Sequence, residues 1–140
     1  MSIYSVEPKK TIMLIDDHDI SLFVTQHQLI AAGIPSDNLL QPSGFSALEY
    51  LEENIRNNEK LPDLIILDIN MPVINGWQFL EKIEAMQSKM AKKITIYILS
   101  SYGQTSEFDK WKNKGMVKKF FEKPLQPKDI IDIRNFVFKI

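Results

Sequence analysis

The sequence predicts an α/β fold, a doubly wound five-stranded parallel sheet with helices on both faces. Short apolar runs alternate five times with stretches whose apolar residues recur at helical spacing. Strands that are apolar throughout are typical of a parallel sheet buried on both faces, and the intervening helices supply that burial. Because crossovers between parallel strands are right-handed, the alternation restricts the topology to a doubly wound sheet.

The composition is that of one folded domain. The chain has 140 residues, of which 44% are hydrophobic and 25% charged, with a net charge of −1. This charge gives no electrostatic reason to expect DNA binding, and the absence of cysteine excludes disulfides and thiolate metal sites. The N-terminus lacks an apolar signal core, and no apolar stretch approaches the roughly 20 residues that span a bilayer. We therefore expect a cytoplasmic protein without membrane insertion.

The first half of the chain predicts two strand–helix units. Thr11–Ile15 is short and apolar and forms the first strand; a helix over Ile20–Ala32 follows, and Gly33 ends it. Leu39–Gln41 is a weak second strand, and Ser43 is a suitable cap for the second helix. The apolar residues at helical spacing are Leu22, Phe23, Leu29 and Ile30 in the first helix, and Ala47, Leu48, Leu51 and Ile55 in the second.

The second half predicts three more units. Pro62 precedes the strongest strand, Asp63–Asp68, and the loop Ile69–Asn75 leads to a third helix. That helix carries Phe79, Leu80, Ile83, Met86 and Met90. The remaining elements are a strand at Ile94–Leu99, a short helix at Thr105–Asn113, a strand at Val117–Phe121 and a helix from Pro127 to Phe138 with Ile130, Ile133 and Val137 inward. The polar stretch Glu52–Lys60 predicts an extended second helix or a loop.

Polar residues follow four of the predicted strands. The first strand ends in Asp16 and Asp17, the third in Asp68, the fourth in Ser100, and Lys123 follows the fifth. Ligands of doubly wound sheets bind beyond the carboxyl ends of the strands. We therefore expect these side chains to meet at one edge of the sheet.

The chemistry of this set favours a metal-assisted phosphoryl transfer. Clustered carboxylates repel one another, and a hard cation such as Mg²⁺ relieves that repulsion while leaving coordination positions for phosphate oxygens. Asp68 would then accept a phosphoryl group, and Lys123 and Ser100 would hold its other oxygens. Phosphoryl transfer needs mainly positioning and charge neutralisation, and this set supplies both.

The motifs resemble those of a response-regulator receiver domain of bacterial two-component signalling. The matching segments are Ile15–Asp17 (IDD), Leu67–Pro72 (LDINMP), Ile98–Ser100 (ILS) and Glu122–Pro124 (EKP), together with Gly76. Each motif alone is weak, but their order and strand-end placement are specific. The resemblance covers about Lys10 to Ile140.

The resemblance implies a flavodoxin-like receiver fold with strand order 2-1-3-4-5 and a role for each motif residue. Asp68 would be the phospho-acceptor and Lys123 the phosphate-binding lysine. The switch residues would be Ser100 and Phe120, and Pro124 would follow a cis peptide bond. The ligands of Mg²⁺, or of Mn²⁺ in its place, would be Asp16, Asp17, Asp68 and the main-chain carbonyl of Asn70.

The resemblance further implies a signalling switch rather than an enzyme, with only self-catalysed phosphoryl transfer and autodephosphorylation. Its partners would be a histidine kinase or histidine phosphotransfer protein and a downstream protein effector. We expect residues 1–9 to be an N-terminal extension, residues 10–140 the receiver domain, and no output domain to follow. The expected contact face lies around Trp111, Lys112, Lys118 and Phe120. Oligomeric state does not follow from the sequence.

Two other functions fit part of the pattern. Asp17-His18-Asp19 forms the D-x-D of haloacid-dehalogenase-type enzymes, but Ile20 and Ser21 stand where that family has small turn residues. A phosphorylation-independent binding module with the same fold is the second, and the intact set of acids, Ser100 and Lys123 argues against it. His18 and His27 lack the spacing of a transition-metal site, and Ser101 stands where the family usually has Ala.

Overall fold

The computed structural model of the protein describes residues 9–101 and 106–139, which contain five strands and five α-helices. The strands are β1 (Lys10–Ile15), β2 (Ser36–Gln41), β3 (Leu64–Leu67), β4 (Thr95–Ser100) and β5 (Val117–Glu122). The helices are α1 (Asp19–Ala31), α2 (Gly44–Glu53), α3 (Gly76–Met86), α4 (Ser106–Asn113) and α5 (Pro127–Phe138), with a 3₁₀ turn at Gln87–Lys89. Residues 1–8, Thr105 and Ile140 lie outside the described residues.

The strands form one parallel sheet in the order β2-β1-β3-β4-β5. The predicted fold class and strand order are therefore confirmed. The chain moves from β1 outward to β2 and then returns to the other side of β1 for β3. This reversal makes the carboxyl ends of β1 and β3 the topological switch point of the sheet, where ligands of such folds bind.

Alternate residues of the strands pack into two separate hydrophobic cores, one on each face of the sheet. Met13, Ile15, Ile65 and Leu67 pack toward α2, α3 and α4, whereas Ile12, Leu14 and Ile66 pack toward α1 and α5. Strands buried on both faces must be apolar at successive positions, which explains the apolar runs in the sequence. The sheet is thus held between two helical layers and provides a rigid support for its carboxyl edge.

Helix α1 is apolar on more than its inward side. Leu22 and Leu29 are buried, but Phe23 and Ile30 are 60% and 59% exposed. Residues 22 and 29 share one side of the helix, and residues 23 and 30 share another, about 100° away. The sheet covers only the first side, so apolar spacing alone did not identify the buried residues of this helix.

Several element boundaries differ from those predicted. β2 begins at Ser36 rather than Leu39, because its polar residues pair with Lys10–Ile12 through the backbone at the edge of the sheet. Helix α3 ends at Met86, so that Met90 lies after the 3₁₀ turn. The polar stretch after α2 forms turns rather than an extended helix; there the Asn57 side chain accepts the backbone N–H groups of Glu59 and Lys60.

Helix α4 buries its two aromatic residues, Phe108 and Trp111. Trp111 is only 1% exposed, so the prediction that it lies on a contact surface is wrong. Lys110 and Lys114 instead lie over its ring, with Nζ 5.5 and 4.8 Å from the centroid. Lys110 of α4 and Lys114, which directly follows the helix, therefore lie over the indole of a tryptophan that belongs to the core.

No helix in residues 9–101 and 106–139 is both long enough and apolar enough to cross a membrane.

Candidate functional site

Backbone hydrogen bonds fix the site residues at the carboxyl edge of the sheet. The Asp68 N–H donates to the Ile15 carbonyl at 2.9 Å, which continues the β1–β3 ladder by one residue. The Lys123 N–H donates to the Ser100 carbonyl at 2.8 Å beyond the end of β5. The edge therefore brings residues from β1, β3, β4 and β5 together, as the motif placement predicted.

Lys123 links the two buried acids. Its Nζ lies 2.6 Å from Asp16 Oδ2 and 3.6 Å from Asp68 Oδ1. Asp16 and Asp68 are each 4% exposed. The Lys123–Pro124 peptide bond is cis. A single cation thus faces two carboxylates, and negative charge remains in excess.

The pKa values of these two buried acids shift in opposite directions. Burial raises the pKa of Asp68 from 3.8 to about 6; the nearby charges of Asp16 and Asp17 add to the rise, and Lys123 and the Asn70 N–H act against it. Burial also acts to raise the pKa of Asp16, but hydrogen bonds from Lys123, Ser21 and the His18 N–H outweigh it and lower that pKa. Of the two buried acids, Asp68 is therefore the one whose negative charge the protein neutralises less.

Ser100 is connected through Asn70 to the loop that follows Asp68. The Asn70 side-chain amide donates to Ser100 Oγ at 3.2 Å. The backbone N–H of the same asparagine lies 3.4 Å from Asp68 Oδ1. One residue therefore contacts both the acid at the end of β3 and the hydroxyl at the end of β4.

Asp16, Asp17, His18 and Asp68 form a cluster that could hold a metal ion. One ligand atom from each of these residues lies within 4.8 Å of the others. Asp17 Oδ1 is buried and accepts no hydrogen bond, and such an orphaned oxygen is expected where a cation supplies the missing partner. The oxygen-rich donor set fits a hard divalent cation such as Mg²⁺.

The loop after Asp68 is anchored at Gly76. Its N–H donates to the Ile69 carbonyl at 2.9 Å. A Cβ at this position would lie 2.8 Å from Ile69 Cα and 2.9 Å from the Asp68 carbonyl oxygen, too close for any side chain. Asn75 and Gln78 then cap α3 reciprocally. The glycine therefore allows the loop to fold back against Asp68.

Phe120 lies on β5, three residues before Lys123. The side chain is half-buried and packs edge-on against Phe108 of α4, with ring centroids 5.4 Å apart. A register shift between Ile96 and Tyr97 precedes it, and Phe120 then pairs with Ile98 of β4. Phe120 therefore connects β4, with which it pairs, to α4, against which it packs.

Two contacts of the site were not predicted from the sequence. The bond between Asn70 and Ser100 joins residues 30 positions apart, and only the β3–β4 pairing brings them together. His18 was assigned no role, although its Nδ1 lies 3.4 Å from Asp17 Oδ1. Its position next to the acidic pair was the one signal in the sequence, and the sequence left the role of His18 open.

Comparison with known proteins finds a likeness over most of the chain. Residues 12–135 match the family model described as the response regulator receiver domain. The two-component response regulator ORR1 of Oryza sativa subsp. japonica is 27% identical over 126 residues, covering 89% of this chain and 53% of that protein. The probable transcriptional regulator ycf29 of Porphyra purpurea is 31% identical over 129 residues, covering 91% and 56%. The chain thus spans about half the length of these curated relatives.

A solved structure shows the same architecture. The two-component response regulator from Cytophaga hutchinsonii matches with a TM-score of 0.81 at 27% identity, covering 96% of this chain and 100% of that chain. Receiver domains are signalling switches that bind Mg²⁺ through an acidic pocket and interact with histidine kinases or phosphotransfer proteins. The family match, the strand order and the acidic cluster agree, and the chain therefore belongs to the response regulator receiver domain family of two-component signalling.

Proposed function

We propose that this receiver domain accepts a phosphoryl group on Asp68 from a histidine kinase or histidine phosphotransfer protein. The observation that carries the proposal is the unequal treatment of the two buried acids. Lys123 lies 2.6 Å from Asp16 but 3.6 Å from Asp68, so that of the two buried acids Asp68 keeps more uncompensated negative charge. The Asp68 oxygens are therefore more available than those of Asp16 to attack an electrophile.

In the transfer, an Asp68 carboxylate oxygen forms a bond to phosphorus while the donor's bond to phosphorus breaks. That bond is P–N in phosphohistidine, whose imidazole leaves as the neutral base when its other ring nitrogen carries a proton, and P–O in a small acyl phosphate, whose carboxylate leaves. Charge builds on the equatorial phosphoryl oxygens during this step. Lys123 would neutralise one of them, and the Ser100 hydroxyl, whose oxygen accepts from Asn70, would donate its own hydrogen to another.

The proposed metal ligands are Asp16, Asp17, Asp68 and the main-chain carbonyl of Asn70. The orphaned oxygen of Asp17 and the excess negative charge of the cluster support this assignment. When bound, Mg²⁺, or Mn²⁺ in its place, would neutralise the carboxylates and offset the repulsion of an incoming phosphate.

Metal removal is expected to abolish phosphorylation. In EDTA, three clustered acids and one lysine leave the pocket anionic, so acetyl phosphate should be repelled and labelling should fall by at least about 100-fold. Intact-mass spectrometry of the protein after incubation with acetyl phosphate measures this. Labelling should return when excess MgCl₂ is added, and full labelling in EDTA would contradict the proposal.

We propose Ser100 and Phe120 as the switch. A phosphoryl group on Asp68 introduces a dianion that recruits hydrogen-bond donors. The Ser100 hydroxyl, which accepts from the Asn70 amide at 3.2 Å, would turn to donate a hydrogen bond to a phosphoryl oxygen. Movement of the carboxyl end of β4 would then disturb the contact between Phe120 and Phe108 and thereby alter the packing of α4.

Beryllofluoride, a phosphoryl mimic, should change amide NMR shifts at Ser100, Phe108 and Phe120 as well as at Asp68. The change follows from the new acceptor at Asp68 and the packing that links β4, β5 and α4. Residues of the turn near Asn57, at the opposite end of the sheet, serve as an internal reference. Shifts confined to the acids, with Phe108 and Phe120 silent, would refute the coupling.

The proposed output is a protein effector that contacts the α4–β5 face at Lys112, Lys118 and Phe120. Both lysines are exposed, and Phe120 is half-buried, so this face can present basic charge around an aromatic ring. Trp111 is not part of it because it lies in the core. The net charge of −1 gives no electrostatic support for DNA as the target.

A further inference from the structure

We propose that His18 supplies an imidazole nitrogen to the metal ion of the acidic cluster, so that this site takes a divalent transition metal such as Zn²⁺ as well as Mg²⁺. The inference rests on the metal site of the proposed function and adds a ligand to it. It concerns which metals the site selects. Geometry, unmet bonding and donor chemistry each support it.

The geometry places the His18 ring among the acidic oxygens. His18 Nδ1 lies 3.4 Å from Asp17 Oδ1 and 3.6 Å from Asp16 Oδ1. Two ligands that bind one ion at about 2.1 Å each lie at most about 4.2 Å apart. Both distances fall inside this limit, so one ion can contact the nitrogen and either oxygen with little movement of the side chains.

The backbone holds His18 in this position. Its N–H donates to Asp16 Oδ1 at 3.0 Å, and the residue directly precedes α1. Its side chain is 71% exposed, so the ring can adjust without disturbing the core. The chain is therefore fixed next to the acids while the imidazole remains free to rotate onto an ion.

The Asp17 oxygen that faces the imidazole lacks a hydrogen-bond donor. Asp17 Oδ1 is buried and accepts no hydrogen bond, although the imidazole nitrogen is its neighbour. A neutral imidazole presents either a donor or a lone pair at Nδ1, and a lone pair that faces a carboxylate oxygen is repulsive. A cation between the nitrogen and the oxygen would satisfy both atoms at once.

The kind of ligand atom that His18 supplies, an imidazole nitrogen, determines which metals the site prefers. Mg²⁺ prefers oxygen ligands and retains several waters, whereas imidazole suits Zn²⁺, Fe²⁺ and Ni²⁺. An added nitrogen ligand therefore strengthens Zn²⁺ binding much more than Mg²⁺ binding. If His18 instead served only as a protonated counter-ion to the acids, a metal would have to displace its charge, and removal of the histidine would strengthen the binding of both metals.

The experiment measures the affinities of the full chain for ZnCl₂ and MgCl₂ by isothermal titration calorimetry at neutral pH. His18→Ala should weaken Zn²⁺ binding by at least about tenfold and lower the ratio of Zn²⁺ to Mg²⁺ affinity by a similar factor. His27→Ala is the matched control, because His27 stacks on Phe23 with ring centroids 4.9 Å apart. It should leave the Zn²⁺ affinity at the wild-type value.

A spectroscopic readout tests the nitrogen ligand directly. With Co²⁺ bound, a coordinated imidazole gives a strongly shifted exchangeable NH resonance in the proton NMR spectrum, which should be present in wild type and His27→Ala and absent in His18→Ala. Asp17→Ala should weaken both metals, which separates the two claims. If Asp17→Ala acts as expected but His18→Ala leaves Zn²⁺ affinity and the Co²⁺ spectrum unchanged, the role of His18 is overturned while the acidic site stands. Stronger binding of both metals to His18→Ala would likewise overturn it.

Discussion

Asp68→Asn is expected to reduce acetyl phosphate labelling in the presence of Mg²⁺ to background. The amide has no carboxylate oxygen to attack phosphorus, and loss of a nucleophile costs orders of magnitude in rate, here at least about 1000-fold. The substitution preserves the volume of a side chain that is 4% exposed, so the fold should persist. Intact-mass spectrometry over a time course of labelling provides the measurement.

Asp63→Asn is the matched control for the acceptor assignment. Asp63 precedes β3 at the amino end of the strand, whereas Asp68 follows β3 at its carboxyl end. The Asp63 carboxylate accepts the Thr11 N–H at 2.8 Å and pairs with Lys92 at 3.0 Å. Its variant should label at the wild-type rate. Labelling of Asp68→Asn at that rate would disprove the assignment.

The part of the fold that was predictable is the part governed by simple periodicity. Strands buried on both faces must be apolar, so β1, β3 and β4 were visible as continuous apolar runs. Once the strands are parallel, their carboxyl ends share one edge, which is why the order of residues alone predicted that Asp16, Asp68 and Lys123 lie together. Strand order required the family resemblance.

The features that were not predictable depend on the tertiary environment. Edge strand β2 is defined by backbone pairing with β1, and its residues Ser36–Asn38 carry no apolar signal. Trp111 stands in a polar helix rich in lysine, yet it belongs to the core on one face of the sheet, and Lys110 and Lys114 lie over its ring. Spacing alone identifies which residues share one side of a helix but not which side the sheet will cover.

The same limit applies to the site. The sequence identifies the acids and the lysine but not how they pair. Nothing in the order of residues indicates that Lys123 lies closer to Asp16 than to Asp68, at 2.6 against 3.6 Å. Burial is the main cause of the raised pKa of Asp68, whereas at Asp16 hydrogen bonds, led by the one from Lys123, outweigh burial and lower the pKa.

The raised pKa of Asp68 has a consequence for stability. The carboxyl group keeps its proton up to about pH 6 in the folded protein, compared with 3.8 for the ordinary value. As pH rises from about 4 to about 6, the unfolded chain ionises this group more readily, so the free energy of unfolding falls. Asp16 acts in a separate window, because its pKa is lowered and the stability it contributes is lost only as pH falls below 3.8.

Asp68→Asn should therefore stabilise the metal-free protein above pH 7 and not near pH 4. The shift from 3.8 to about 6 corresponds to at most about 3 kcal/mol, and we expect a gain of about 1–3 kcal/mol in EDTA. Lys123 retains Asp16 as a partner at 2.6 Å, so the substitution leaves no unpaired cation. Urea denaturation at the two pH values measures the gain. An equal gain at both would show that packing, and not the charge of Asp68, is responsible, whereas saturating Mg²⁺ should reduce the gain above pH 7 because the ion neutralises the wild-type carboxylate.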